Sequence, residues 1–357
     1  MNQTSVVEQI LDLARWAPSG DNSQPWRFEI IDDRHFLIHG RDTRDHCIYD
    51  LDGRPSQLAL GALIETASIA ATRHGLALSV ERRLGMPEHL PTFDITLDDD
   101  TRGVVSPLIA AIPQRRVQRR PLSTRPLTDA DRHALETAAG PGYKVVWFAS
   151  WQDRLRWASL LWANAGIRLR MPEAFETHRN AIEWHARFSN DRIPDLALGA
   201  DRLTIAVMRI AMRNWTRVAF INRWMGGTIA PRLLMDIVPA LACATHVAII
   251  ADSVPIDADD QVMAGRAVQR FWLTATNLGL QHQPSATPLV FSRYLRDGQI
   301  FTQSEGLIGC AQKLAARLEA LLGGKASQTV WLGRLGYGAP AAARSTRLRL
   351  SHLLGNC

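Results

Sequence analysis

Apolar residues recur at helical spacing from the start of the chain, with Val6, Ile10, Leu13 and Ala14 marking one face of an amphipathic helix over 4–16. A loop rich in Pro, Gly, Ser and Asn, 17–25, ends that pattern, and strands are predicted at 26–31 and 35–40. A long apolar helix over 57–74 and a strand over 77–82 follow. Further on, the pattern predicts a helix near Leu108, a helix opening at Thr128, whose hydroxyl makes a good N-cap, and buried strands at 144–149 and 246–251. A helix over 259–278 stops at Gly279, and 329–336 reads as a last strand. Strand pairs sit close together without regularly interposed helices, which is an α+β pattern. A block at about 171–232 is helical and rich in Trp and Arg. The most apolar stretch, 233–250, is interrupted by Asp236, Pro239 and His246, so it reads as a buried helix and a buried strand and not as a membrane span.

Composition narrows the function. With 357 residues, 46% of them hydrophobic, the chain builds a sizeable core. Its net charge of +6 comes from scattered arginines, without the basic tract of a nucleic-acid-binding arm. Cys47, Cys243, Cys310 and Cys357 are far apart and in no metal-ligand spacing, which favours reduced thiols over a zinc site or a disulfide framework. The N-terminal segment carries charges where a signal peptide is apolar, so a cytoplasmic protein with no nucleic-acid or membrane partner is expected. His178 and His185 near Glu176 and Glu183 read as solvated helix residues and not as metal ligands. Arg202, Arg209, Arg213 and Arg217 recur at helical spacing, a stripe that faces water or lies over an anionic cofactor.

Three short motifs carry chemistry. The loop Ala17-Pro18-Ser19-Gly20-Asp21-Asn22-Ser23-Gln24-Pro25-Trp26 is stiffened by its prolines, and Ser19, Asn22 and Gln24 offer polar groups to a planar ligand. Arg115-Arg116-Val117-Gln118-Arg119-Arg120 packs guanidiniums so closely that they repel one another unless they face an anion or solvent. Arg344 and Arg347 lie near the C-terminus, after Gly336-Tyr337-Gly338-Ala339-Pro340.

The first run resembles the APSxxNxQPW signature of flavin-dependent nitroreductases, and the second is similar to their RRSxR motif, with Val117 in place of the usual Ser. The resemblance implies that Pro18, Ser19, Asn22 and Gln24 form the flavin-ring loop and that Trp26 is structural. It implies that Arg115, Arg116, Arg119, Arg344 and Arg347, with the backbone of Val117, grip the phosphate and ribityl chain of FMN. Gln283, Pro284 and Ser285 fall where relatives present a backbone N–H to the flavin N5.

Each motif occurs once, so the chain is similar to the tandem, Acg-type branch of that family. The implied fold is α+β, with two fused halves, 1–113 and 114–357, mimicking the family's homodimer around one flavin, as a monomeric pseudo-dimer or a homodimer. The block at 171–232, with Trp184, Trp215 and Trp224, would be a lid. The implied activity is transfer of a hydride or two electrons between NAD(P)H and a nitroaromatic or quinone, or oxidation of a biosynthetic intermediate, with no side-chain acid or base. The alternative is FMN storage without turnover.

Overall fold

The computed structural model describes residues 5–101 and 103–355. Thr4, where the first helix was expected to begin, and Cys357 lie outside the described residues. Among the described residues, Cys47, Cys243 and Cys310 are free thiols.

The first half opens with helix α1 (Val6–Ala14), started by Ser5 and Glu8, whose side chains cap each other's backbone N–H groups. Strands β1 (Trp26–Ile30) and β2 (His35–Gly40) follow, then the long helix α2 (Arg54–Ala71), with Pro55 in its first turn. Strands β3 (Leu76–Arg82) and β4 (Thr92–Asp99) complete an antiparallel sheet of order β1-β2-β4-β3. Trp26, Phe28, Phe36, Ile38, Phe93 and Ile95 bury one face of it against α1 and α2.

The second half begins with α3 (Asp129–Ala139), whose N-cap is Thr128 as expected, and β5 (Tyr143–Phe148). A helical excursion follows: α4 (Trp151–Arg168), α5 (Pro172–Ala181), the two-residue strands β6 (Ile182–Glu183), β7 (Phe188–Ser189) and β8 (Ile193–Pro194), then α6 (Arg202–Ala211) and α7 (Trp215–Trp224). Helix α8 (Ile229–Arg232) runs through a π-turn (Leu233–Ile237) into α9 (Val238–Leu241). The chain then returns through β9 (Thr245–Ala251), α10 (Ala258–Asn277), β10 (Leu280–Pro284), α11 (Thr287–Arg296), α12 (Glu305–Leu321), β11 (Thr329–Tyr337), β12 (Arg344–Ser345) and the short turn α13 (Leu350–Leu353).

The second antiparallel sheet has the order β10-β11-β9-β5. Counted in the chain order of each half, both sheets run first, second, fourth, third, and in both a helix precedes the first strand and a long helix joins the second to the third. The halves therefore repeat one another in topology, a repeat invisible in the residues themselves. The second sheet is covered on both faces, by α3 and α10 on one and by α4, α11 and α12 on the other. That is why β9 is apolar at nearly every position.

The long helices α2 and α10 cross at Gly61 and Gly265, each the eighth residue of its helix. A Cβ on Gly61 would stand 1.9 Å from the Val262 carbonyl oxygen, and one on Gly265 would stand 2.0 Å from that of Leu58. The joint is reinforced where Gln269 Nε2 donates to Thr66 Oγ1 and where Arg266 and Arg270 reach Glu65.

Several expectations are corrected. The helix expected near Leu108 is a single 3-10 turn, Ile109–Ala111. The segment 279–285, which the resemblance makes a loop after the long helix, is mostly β10, drawn into the sheet by β11. The helical residues at 233–241 are not buried throughout, since Leu233, Leu234 and Val238 are exposed.

Candidate functional site

The loop after α1 is held in an unusual conformation. Asp21, Asn22 and Gln24 have φ values of 49°, 65° and 48°, in the left-handed region that L side chains avoid. Three such residues in one short loop persist only when their surroundings fix them. Asn22 Nδ2 donates to the carbonyls of Arg192 and Thr346, while Gln24 Nε2 donates to those of Asn22 and Asn190 and its Oε1 accepts from Leu348 N. The brace therefore comes from the 182–198 segment and from the C-terminal tail, which are themselves joined where β12 pairs with β7.

The loop forms one wall of a cavity of about 690 Å³, lined also by the start of α2, the Arg115 turn, Trp272 of α10, β10, α11 and the C-terminal tail. That size is ordinary for a cofactor or small-ligand site. Of the residues expected at the site, Pro18, Ser19, Asn22, Arg115, Arg116, Val117, Arg119, Gln283, Pro284, Arg344 and Arg347 line it. Gln24 does not: it is buried behind the loop and engaged as a brace. Ser285 lines a smaller neighbouring cavity of about 190 Å³, with Arg119, Gln283, Pro284 and Arg334 shared or adjacent. From the helical block, Ile193 and Ala197 reach the main cavity, and helices α6 and α7 do not.

Electrostatically the site gathers arginines whose direct hydrogen-bond partners are neutral, with Asp21 the acid that acts on Arg119. Arg115, 4% exposed, donates from Nη2 to the Trp16 carbonyl and lies 4.6 Å over the Trp272 ring. Arg347 donates twice to the Ala17 carbonyl, Arg344 to that of Pro113, Arg116 to that of Ala341 and Arg119 to that of Ala197. These partners are neutral, and among the described residues none of the five forms an ion pair with a carboxylate.

Burial pushes the Arg347 guanidinium down to about 9 and Arg344 to about 10, and neighbouring arginines push in the same direction. Burial, with Arg347 and Arg344 nearby, holds Arg115 well below its usual range. The nearest acid, Asp21, is itself raised by burial, against the pull of Arg119 and Arg168. Three buried polar atoms lack any partner here: Arg115 Nε, Asn22 Oδ1 and Arg334 Nη1.

Arg334, 1% exposed, was not among the expected site residues. It donates from Nε to Gln283 Oε1 and from Nη2 to the carbonyls of Gln118 and Arg120, so it ties β11 to the Arg115 turn and to β10. A lone Arg within an apolar strand pattern was the signal that could have singled it out.

The family model described as "Nitroreductase family" matches residues 3–52, which hold α1 and the strained loop. An uncharacterised protein of Mycobacterium tuberculosis is 25% identical over 97% of the chain and 48% of its own length. A protein of that organism named "Putative NAD(P)H nitroreductase acg" is 32% identical over 38% of the chain and 42% of its own length. The chain is thus similar to the nitroreductase family model over residues 3–52 and to putative NAD(P)H nitroreductases over about two fifths of its length. The matches span less than half the length of these curated relatives. Similar solved structures are the FMN-dependent nitroreductase NfnB of Mycobacterium smegmatis with NADPH and a nitroreductase of Bacteroides fragilis with bound FMN. The first is 16% identical, with a TM-score of 0.38 over 69% of this chain and 96% of its own. The second is 12% identical, with a TM-score of 0.33 over 66% and 89%. In nitroreductase-superfamily terms, the APSxxNxQPW loop and the RRSxR-like turn, far apart in sequence, face the same cavity here.

Proposed function

We propose that this chain is a nitroreductase-type oxidoreductase that binds one FMN between its halves and passes electrons from NAD(P)H to a small electron-poor acceptor. The observation that carries this reading is the convergence of the strained loop of the first half with buried and half-buried arginines of the second that form no ion pair. A phosphate would give Arg115, Arg116, Arg344 and Arg347 the anion they lack, and the free Arg115 Nε is a donor suited to it. The ring loop presents Pro18, Ser19 and the unpartnered Asn22 Oδ1, an acceptor suited to a ring N–H. A flavin bound there supplies the capacity to take a hydride from a nicotinamide and pass it on. The chain's own groups position and shield: Gln283 and Pro284 line the cavity with the loop, and Arg119 is held on the lining by the Ala197 carbonyl.

The halves are unequal in one respect that bears on stoichiometry. The connection from α1 to β1 is the long loop ending at Pro25, whereas its counterpart from α3 to β5 is the short turn Gly140–Gly142. A second ring loop is thus absent, and we place the boundary between halves near residue 113. Flavin released by denaturation should amount to one FMN per chain, and two equivalents would refute the single-site reading. Excess NAD(P)H under anaerobic conditions should bleach the flavin absorption, whereas a storage protein would keep it oxidised. Replacing Arg115 by Ala should weaken FMN binding by about 1.5–3 kcal/mol, tenfold or more in affinity.

A further inference from the structure

Helices α6 and α7 form a hairpin whose inner side is anchored and whose outer side is bare. Ile205 is buried, the Phe175 and Trp215 rings pack 5.8 Å apart, and Asn222 Nδ2 donates to the Leu169 carbonyl. On the outer side Leu203, Val207 and Ile210 form one stripe along α6, and Phe220 and Trp224 of α7, with Met225 just after it, are exposed as well. Leu203 is 75% exposed and Trp224 69%. Exposed apolar side chains clustered in this way are uncommon on monomeric proteins and mark interaction sites.

The charge around it indicates which partner. Residues 202–235 contain six arginines and no acidic residue. Arg202, Arg213, Arg217 and Arg223 are exposed, and among the described residues none of them pairs with a carboxylate. At about 100° per residue, Arg217 and Arg223 flank the Phe220–Trp224 line on either side, roughly 60° from Phe220. Apolar and aromatic side chains in the middle with guanidiniums on the flanks are what the boundary between acyl chains and anionic headgroups selects. A second copy of the chain fits less well, because a two-fold contact through this face sets arginines against arginines.

We propose that the outer face of α6 and α7 docks on an anionic lipid membrane. The hairpin lies in the surface of the bilayer and does not span it, since no helix among the described residues is long and apolar enough to cross. The sequence-based expectations of a water-facing arginine stripe and of no membrane partner are both revised by this proposal. Because Ala197, which lines the main cavity, lies just before α6, a docked chain would hold the cavity near the lipid surface, where apolar acceptors partition.

The test is co-sedimentation of the full-length protein with vesicles of pure phosphatidylcholine and with vesicles rich in phosphatidylglycerol. The protein should pellet with the anionic vesicles, remain in the supernatant with the neutral ones, and be released by added salt. Replacing Arg213 and Arg217 together by Gln should weaken binding on the order of twentyfold, since each cation near an anionic surface is worth about fivefold. The pair Phe220→Ser and Trp224→Ser should weaken it at unchanged charge, with circular dichroism melts confirming that both variants fold. Three outcomes would overturn the proposal: no difference between the two vesicles, binding unchanged by either double variant, or a vesicle-free dimer that Phe220→Ser and Trp224→Ser dissociates.

Discussion

Arg115 is buried and Arg344 and Arg347 are half-buried, with carbonyl partners and one another's company in place of an acid, an arrangement that costs free energy until an anion arrives. Removing one of them should therefore act in opposite directions on the empty and the loaded protein. Arg115→Met, which keeps the packing on Trp272, should leave the melting temperature of the flavin-free protein unchanged or higher while shrinking the rise produced by saturating FMN. A fall in the flavin-free melting temperature equal to that of the loaded protein would show that Arg115 acts in packing alone. Backbone strain at the same site is separately measurable. Asn22 has a φ of 65°, so Asn22→Ala should be less stable than Asn22→Gly by roughly 1–2 kcal/mol, although both lose the same amide hydrogen bonds. Equal urea midpoints for the two variants would mean that the loop relaxes without its side chain.

The crossing of α2 and α10 leaves no room for a methyl group at either glycine. Gly61→Ala and Gly265→Ala should each cost at least about 3 kcal/mol, because the obstructing atoms are backbone carbonyls that cannot turn aside, and the two losses should be similar. Urea denaturation checks both, and a mild effect at either would show that the helices slide apart.

That glycines hold the joint was not legible in the sequence, where each reads merely as a weak point in a helix. Most of the first half was legible, because α1, β1 and β2 have clear periodicity and a cap or turn at each boundary. Strand β4 was missed although Phe93, Ile95 and Leu97 alternate inward, because Asp94 and Asp98 on its other face, with Asp99 at its end, give the segment the composition of a loop. Helix α4 was hidden by polar and aromatic residues, its buried set including Trp157 and Asn164. Helices α11 and α12 complete a second cover on the sheet that only the tertiary fold demands. Among the site residues, the two arginine motifs and the ring loop were legible as short local patterns. Arg334 was not, because its partners lie about fifty or more than two hundred residues away.

Histidines withdrawn from water make the whole molecule sensitive to acid: His178, half-buried and bonded to Tyr49, and two buried on the second sheet. His246 donates from Nε2 to the Ala240 carbonyl, and His282 donates from Nδ1 to that of Arg334 while its Nε2 accepts from Trp331. Both are buried, and burial lowers each from 6.5 to about 3. The unfolded chain thus binds protons at these positions below about pH 6.5, whereas the folded chain does so only near 3. Their contribution is complete above 6.5 and drains away as the pH falls, by at most about 1.4 kcal/mol per pH unit for each. Stability measured by urea titration at a series of pH values should show this slope, and His246→Phe should reduce it. An unaltered slope would mean that water reaches that ring.

The joint between α2 and α10 also bears on what dilution does to the protein. Where two separate subunits share a pocket, lowering their concentration draws them apart and empties the pocket. Here one wall comes from residues 18–22 and the other from residues 115–119 of the same polypeptide. The local concentration of each wall in the presence of the other is set by the tether and by the glycine crossing, whatever the abundance of the protein. Even a few molecules in a cell would keep the pocket assembled.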